Sequence, residues 1–172
     1  PEKLSLCCGR QNRGVAILGE TLFLGTLDAK LIALDAKTGA VQWEAQSADP
    51  ATGYSKTAAP LVIGDKVISG IAGGEYGIRG FLDAYDANTG ERVWRFYTIP
   101  GDGEPHNDTW EGDSWKTGGA PTWITGAYDP DLNLVYWGTG NPGPDWNGEA
   151  REGDNLYSDS VVALDADTGE LK

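Results

Sequence analysis

Cys7 and Cys8 stand side by side in Cys7-Cys8-Gly9-Arg10-Gln11-Asn12-Arg13, and they are the 2 cysteines of the chain. Bonded to each other, they would close across one peptide whose Cα atoms lie about 3.8 Å apart, below the usual disulfide span. Such a bond is strained and easily reduced, so it is a poor staple and a better lining for a site that holds something flat or redox-active. Two reduced thiols, one of them buried, fit the pair of residues equally well.

Three other stretches could carry chemistry. Gly73-Gly74-Glu75-Tyr76-Gly77 sets a carboxylate among glycines, where a backbone can approach a ligand closely. Gly138-Thr139-Gly140-Asn141-Pro142-Gly143-Pro144 does the same with an amide oxygen. Carboxylate and amide oxygens are hard donors suited to Ca²⁺, and a cation held by few protein groups keeps coordination positions free for a cofactor. Each stretch read alone is also an ordinary turn. Trp115-Lys116-Thr117-Gly118-Gly119-Ala120-Pro121-Thr122-Trp123 ends in an indole that serves either as core or as a stacking platform. His106 is the single histidine, on a polar Gly/Pro-rich stretch from Pro100 to Ala120, and reads as a solvated loop residue. The sequon Asn107-Asp108-Thr109 in that loop reads as incidental.

These residues need elements to hold them, and a repeat supplies the architecture. Ala33-Leu34-Asp35-Ala36-Lys37-Thr38-Gly39-Ala40-Val41-Gln42-Trp43 recurs from Ala84 to Trp94 and again from Ala163 to Lys172. In each copy the Asp can cap a tight turn, the Gly takes the left-handed position, and the Trp opens the next strand. Short apolar runs precede each copy: Val15 to Leu18 with Thr21 to Thr26, Leu61 to Gly70, and Asp129 to Gly138. The spacing of the first two copies suits one four-stranded propeller blade, and the longer second interval suits a blade carrying an insertion, mainly Pro100 to Ala120.

Composition agrees with an all-β chain: 172 residues, 40% hydrophobic, with 25 Gly, 7 Trp and 7 Tyr. The net charge of −13 argues against nucleic-acid or anionic-membrane binding and for a basic partner. No apolar run reaches the roughly 18 residues of a membrane span. With 0 Met and a third repeat that stops one residue short of its Trp, the expectation is a piece of a longer chain, truncated at both ends.

Together these motifs resemble the pyrroloquinoline quinone (PQQ)-dependent alcohol dehydrogenases, the methanol and ethanol dehydrogenase group. The resemblance rests on Cys-Cys with the downstream Asn-Arg-Gly, on Gly-Glu-Tyr-Gly-x-Arg-Gly, on Gly-Thr-Gly-Asn-Pro and on the docking repeat, and it runs over essentially the whole chain. It implies a partial β-propeller, about three blades of an eight-bladed quinoprotein, with residues 1–172 a fragment of that single domain. It also implies a vicinal disulfide of Cys7 and Cys8 roofing the quinone and Trp123 flooring it. Arg13 matches the arginine that binds a quinone oxygen or a carboxylate, Thr57 a threonine bonding the cofactor, and Gly73 and Gly74 its backbone neighbours. Glu75 and Asn141 match the ligands of Ca²⁺ or a lanthanide. Ala72 and Pro121 depart from the Ser and Thr common in methanol dehydrogenases. No residue matches the family's catalytic Asp, which lies further beyond the metal-binding Asn than this sequence extends. The implied activity is oxidation of a primary alcohol to an aldehyde in the periplasm, with electrons passed to a cytochrome c. The alternatives are a non-enzymatic propeller scaffold like the outer-membrane assembly lipoprotein, and a sugar-oxidising quinoprotein.

Overall fold

The computed structural model describes residues 4–172 and is built of antiparallel sheets joined by loops and short 3₁₀ turns. The first sheet holds β1 (Ala16–Leu18), β2 (Thr21–Gly25), β3 (Lys30–Asp35) and β4 (Val41–Gln46) in chain order. The second repeats the plan with β5 (Leu61–Ile63), β6 (Lys66–Gly70), β7 (Phe81–Asp86) and β8 (Arg92–Tyr97). The third has β9 (Ala127–Asp129), β10 (Leu134–Gly138) and β11 (Val161–Asp165), and a bridge from Leu164 to Leu171 marks the place of a fourth strand. The third sheet follows the same four-strand plan, its last position held by that bridge.

The strand period of two explains how three sheets share two cores. In the middle sheet Val67 and Tyr85 join Phe23, Leu31 and Ala33 against the first sheet. Their neighbours Ile68 and Ala84, with Leu82, face the other way and join Val135, Trp137 and Leu164 against the third. β7 is consequently buried on both faces from Phe81 to Tyr85.

The Asp and Gly of each repeat perform the tasks read from them, and the Trp performs a different one. Asp35 Oδ1 accepts from the backbone N–H groups of Lys37 (3.1 Å) and Thr38 (2.7 Å). Asp86 and Asp165 repeat the arrangement on Asn88 and Thr89 and on Asp167 and Thr168. Hydrogen bonds led by those from Thr38, Thr89 and Thr168 hold the three carboxyls below their ordinary pKa. Gly39, Gly90 and Gly169 all have φ of 73–74°. Trp43 and Trp94 are third in their strands instead of opening them, because pairing with the preceding strand begins at Val41 and Arg92. From there each indole crosses to the next repeat. Trp43 Nε1 donates to Ala87 O and Trp94 Nε1 to Ala166 O, both at 3.1 Å. A Cβ on Gly90 or Gly169 would come within 2.6 or 2.7 Å of the indole, so close stacking is a second reason for glycine there. Among the described residues, no helix is long and apolar enough to cross a membrane.

The stretch from Pro100 to Ala120 is less free than a surface loop. Trp110 is buried with Ile99 and Ala120 and donates from Nε1 to Leu156 O at 2.6 Å. Arg79 donates to Ile99 O and to Glu104 and lies over the rings of Tyr97 and Trp115. A second long connection, from Gly138 to Val161, carries Asn141.

Candidate cofactor and metal site

One segment, Gly118 to Trp123, organises the site because it is threaded between the middle sheet and the Asn141 loop. On one side Gly80 N donates to Gly119 O (2.8 Å), Thr98 Oγ1 to Ala120 O (2.7 Å) and Thr122 N to Ile71 O (2.8 Å). Thr122, fully buried, donates from Oγ1 to Phe81 O at 2.6 Å and accepts from Ile71 N at 2.8 Å. Such close approach needs bare backbone: a Cβ on Gly70 would sit 2.0 Å from Thr122 O. On the other side Gly140 N donates to Pro121 O and Gly143 N to Gly118 O, both at 2.7 Å, and Ala120 N to Asn141 O at 3.0 Å. So anchored, the chain delivers Trp123 to the surface 39% exposed, whereas Trp94, Trp110 and Trp137 are buried in cores.

Cys7 and Cys8, which line the same slot as Trp123, are disulfide-bonded, which decides between the two readings of the pair. A polar relay links them to that indole. Gln11 Nε2 donates to Cys8 O (2.9 Å), Arg13 Nη2 donates to Gln11 Oε1 (2.8 Å), and the guanidinium lies over the Trp123 ring. Arg13 N is fixed to Thr57 O at 3.0 Å. The resulting slot is lined by Cys7, Cys8, Arg13, Thr57, Gly73, Glu75 and Trp123, together with Ser55, Ala72 and Pro121.

Glu75 rides on the 3₁₀ turn Gly74–Tyr76, between Gly73 (φ 118°) and Gly77 (φ 71°). Left-handed backbone on both sides turns its exposed carboxylate out of the sheet. Gly74 contributes through packing, not through the slot lining: a Cβ there would lie 2.9 Å from the Pro121 ring. Gly140, which precedes Asn141, meets the same ring: a Cβ there would lie 3.0 Å from it. Asn141 does not itself line the slot. Its Nδ2 donates to Pro142 O at 3.3 Å and to Asp145 Oδ1, which commits the amide hydrogens and leaves Oδ1 as the acceptor. Two oxygen donors are fewer than the roughly six to eight that Ca²⁺ takes, so most of a cation's shell would come from other groups. Outside this region His106 is exposed and edge-on to Tyr157, and Asn107 Nδ2 is spent on Pro100 O.

Several functional-looking residues were not singled out from the sequence. Ser55 is a buried member of the slot wall, and Asp145 is the partner of Asn141. Behind the wall, Asp83 accepts from Arg95 Nε (2.6 Å), Arg95 Nη2 (2.7 Å) and Tyr85 Oη (2.6 Å), and Tyr85 Oη meets Ser47 Oγ at 2.7 Å. Burial first, and then the Asp83 charge, push the Tyr85 phenol up. The available signal was a charge inside an apolar strand: Asp83 between Leu82 and Ala84.

Residues 9–172 match the family model described as "Glucose/ethanol/alcohol dehydrogenase, beta-propeller domain". The chain is 53% identical over 96% of its length to quinohemoprotein alcohol dehydrogenase ADH IIB of Pseudomonas putida, covering 26% of that protein. It is 45% identical over 96% of its length to methanol dehydrogenase [cytochrome c] subunit 1 of Methylorubrum extorquens, covering 30% of it. Among solved structures, a europium-containing methanol dehydrogenase superposes with a TM-score of 0.92 at 43% identity, covering 97% of this chain and 32% of that one. The chain thus spans less than a third of the length of these relatives. With a match across nearly all its residues, it belongs to the PQQ-dependent glucose/ethanol/alcohol dehydrogenase β-propeller family.

Proposed function

We propose that the protein carrying this chain is a periplasmic quinoprotein that oxidises primary alcohols to aldehydes with PQQ and a bound Ca²⁺ or lanthanide ion, and that a cytochrome c accepts the electrons. Residues 1–172 contribute successive blades and one wall of its site. The observation that carries this reading is a slot lined by both the Cys7–Cys8 disulfide and the partly exposed Trp123, together with Arg13, Thr57 and Glu75.

The donor set fits the cofactor. A flat anionic ring system suits an indole face, a guanidinium and a hydroxyl, and a hard cation suits the Glu75 carboxylate and the Asn141 amide oxygen. When bound, the quinone with its cation supplies the acceptor for the two electrons that leave the alcohol. Trp123 and the disulfide would shield a bound ring from water. Arg13 and Thr57 would orient it, and the bare backbone at Gly73 would let it approach closely. Glu75 and Asn141 would hold the cation. With the Glu75 carboxylate given to the cation, no general base is assigned among these residues. A disulfide persists in an oxidising compartment, which supports the periplasm. A cytochrome acceptor is supported by the relative named methanol dehydrogenase [cytochrome c].

The test is reconstitution of the full-length apoprotein with PQQ and Ca²⁺ or La³⁺, followed by alcohol oxidation with an artificial electron acceptor. Turnover that needs both additions, and that is lost in Glu75→Ala, is the expected outcome. Turnover without PQQ refutes the reading.

A further inference from the structure

Ser55-Lys56-Thr57 crosses the slot wall in extended register, with Ser55 and Thr57 lining the slot and Lys56 directed back into the protein, 1% exposed. Its ammonium donates to Ser69 Oγ at 2.9 Å and to Gly70 O at 3.1 Å, both neutral acceptors. The Asp83 carboxylate, whose charge acts on Lys56, is taken up by Arg95 and Tyr85. Lys56 is therefore a buried cation with no carboxylate bonded to it, and the Arg95 charge stands close by. Burial lowers its pKa to about 8, against the opposing pull of Asp83. Groups that cost stability in this way are expected where function needs them.

What Lys56 joins is the site. Gly70 leads through Ile71 to Ala72 and Gly73, which line the slot next to Thr57. Ser55 pairs with Ala72 through hydrogen bonds of 3.1 and 2.7 Å, and Lys56 N is tied to Thr26 O at 3.0 Å. The lysine side chain is a cross-tie, from behind, between the two backbone segments that form this wall. We propose that Lys56 is a positioning residue: it sets the spacing between Thr57 and the Ala72-Gly73 edge that a flat quinone requires, at the expense of folding stability. This rests on the reading of the slot as the quinone site.

The two roles have opposite signatures. A mere structural brace, once removed, lowers stability. A costly positioning group, replaced by an apolar residue of similar volume, leaves stability unchanged or raises it and weakens the ligand. In the full-length apoprotein with saturating Ca²⁺, Lys56→Met should bind PQQ about tenfold more weakly, because the wall spacing it sets is no longer fixed before the ring enters. Affinity is read by quenching of tryptophan fluorescence. Its Tm without cofactor should equal or exceed that of the wild type. Ser69→Ala should shift affinity in the same direction by less, and it decides the matter if the Met variant does not fold. Unchanged PQQ affinity, or affinity and Tm falling together, overturns the proposal. A wild-type protein that takes up no PQQ refutes instead the reading of the slot, and the proposal falls with it.

Discussion

Arg13 holds its guanidinium carbon 4.9 Å from the ring centroid of Trp123 and covers one face of the indole. A cation over an exposed indole contributes only about 0.5–1 kcal/mol, so a stacked ring can displace it and keep the arginine at its edge. Trp123→Ala should therefore leave the Tm nearly unchanged while weakening PQQ by at least about tenfold, read by equilibrium dialysis of the full-length protein. A Tm drop as large as that of a core tryptophan variant would show that the indole is structural.

Trp94 is 7% exposed and ties two sheets through Ala166 O. Trp94→Ala should cost about 3–5 kcal/mol in urea unfolding. Lys37→Ala, on an exposed turn of the first repeat, should stay within about 0.5 kcal/mol.

The buried pair of Asp83 and Arg95 offers a sharper contrast. Asp83 is fully buried, so Arg95→Ala should destabilise by roughly 3–5 kcal/mol, because the carboxylate would remain without its partner. Replacing both together, Asp83→Leu with Arg95→Met, should recover most of that loss in the same denaturation assay.

Lys56 gives a pH signature. Its folded pKa of about 8 lies below the ordinary 10.5, so below pH 8 both states carry the proton and the folded state bears the whole penalty. Between these values the unfolded chain holds a proton that the folded chain has released, and stability rises with pH. The full span corresponds to roughly 3 kcal/mol. The stability advantage of Lys56→Met over wild type should be greatest at pH 7 and shrink towards pH 10. An advantage independent of pH would show that Lys56 does not titrate in this range.

Cys7 and Cys8 are bonded although at least one of them is solvent-exposed. Alkylation followed by mass spectrometry of the oxidised full-length protein should label neither residue until a reductant is added. Ready labelling of both in active enzyme would show that the disulfide is not the functional state.

The sheets were legible because the Asp and Gly of each repeat act locally, through hydrogen bonds that span three or four residues. The residues that line the slot were named through the joint motif resemblance; read alone, the glycines around Glu75 fitted an ordinary turn and Trp123 fitted a core. What escaped was non-local. Lys56 and Ser69 meet only once two strands are paired, and the Trp110 anchor depends on Leu156 across the chain. Polarity marked the Pro100 to Ala120 stretch as a loop, but it could not say that one apolar side chain within it would be captured by a distant carbonyl.

Pro121 meets both neighbouring loops: a Cβ added at Gly74 or at Gly140 would lie 2.9 or 3.0 Å from the same two carbons of its ring. A proline ring has no rotamer by which to yield, so an alanine at either glycine would press on a fixed wall. The two loops therefore tolerate no added methyl group where they meet it, and their glycines are required by a neighbour's stiffness and not by their own backbone angles.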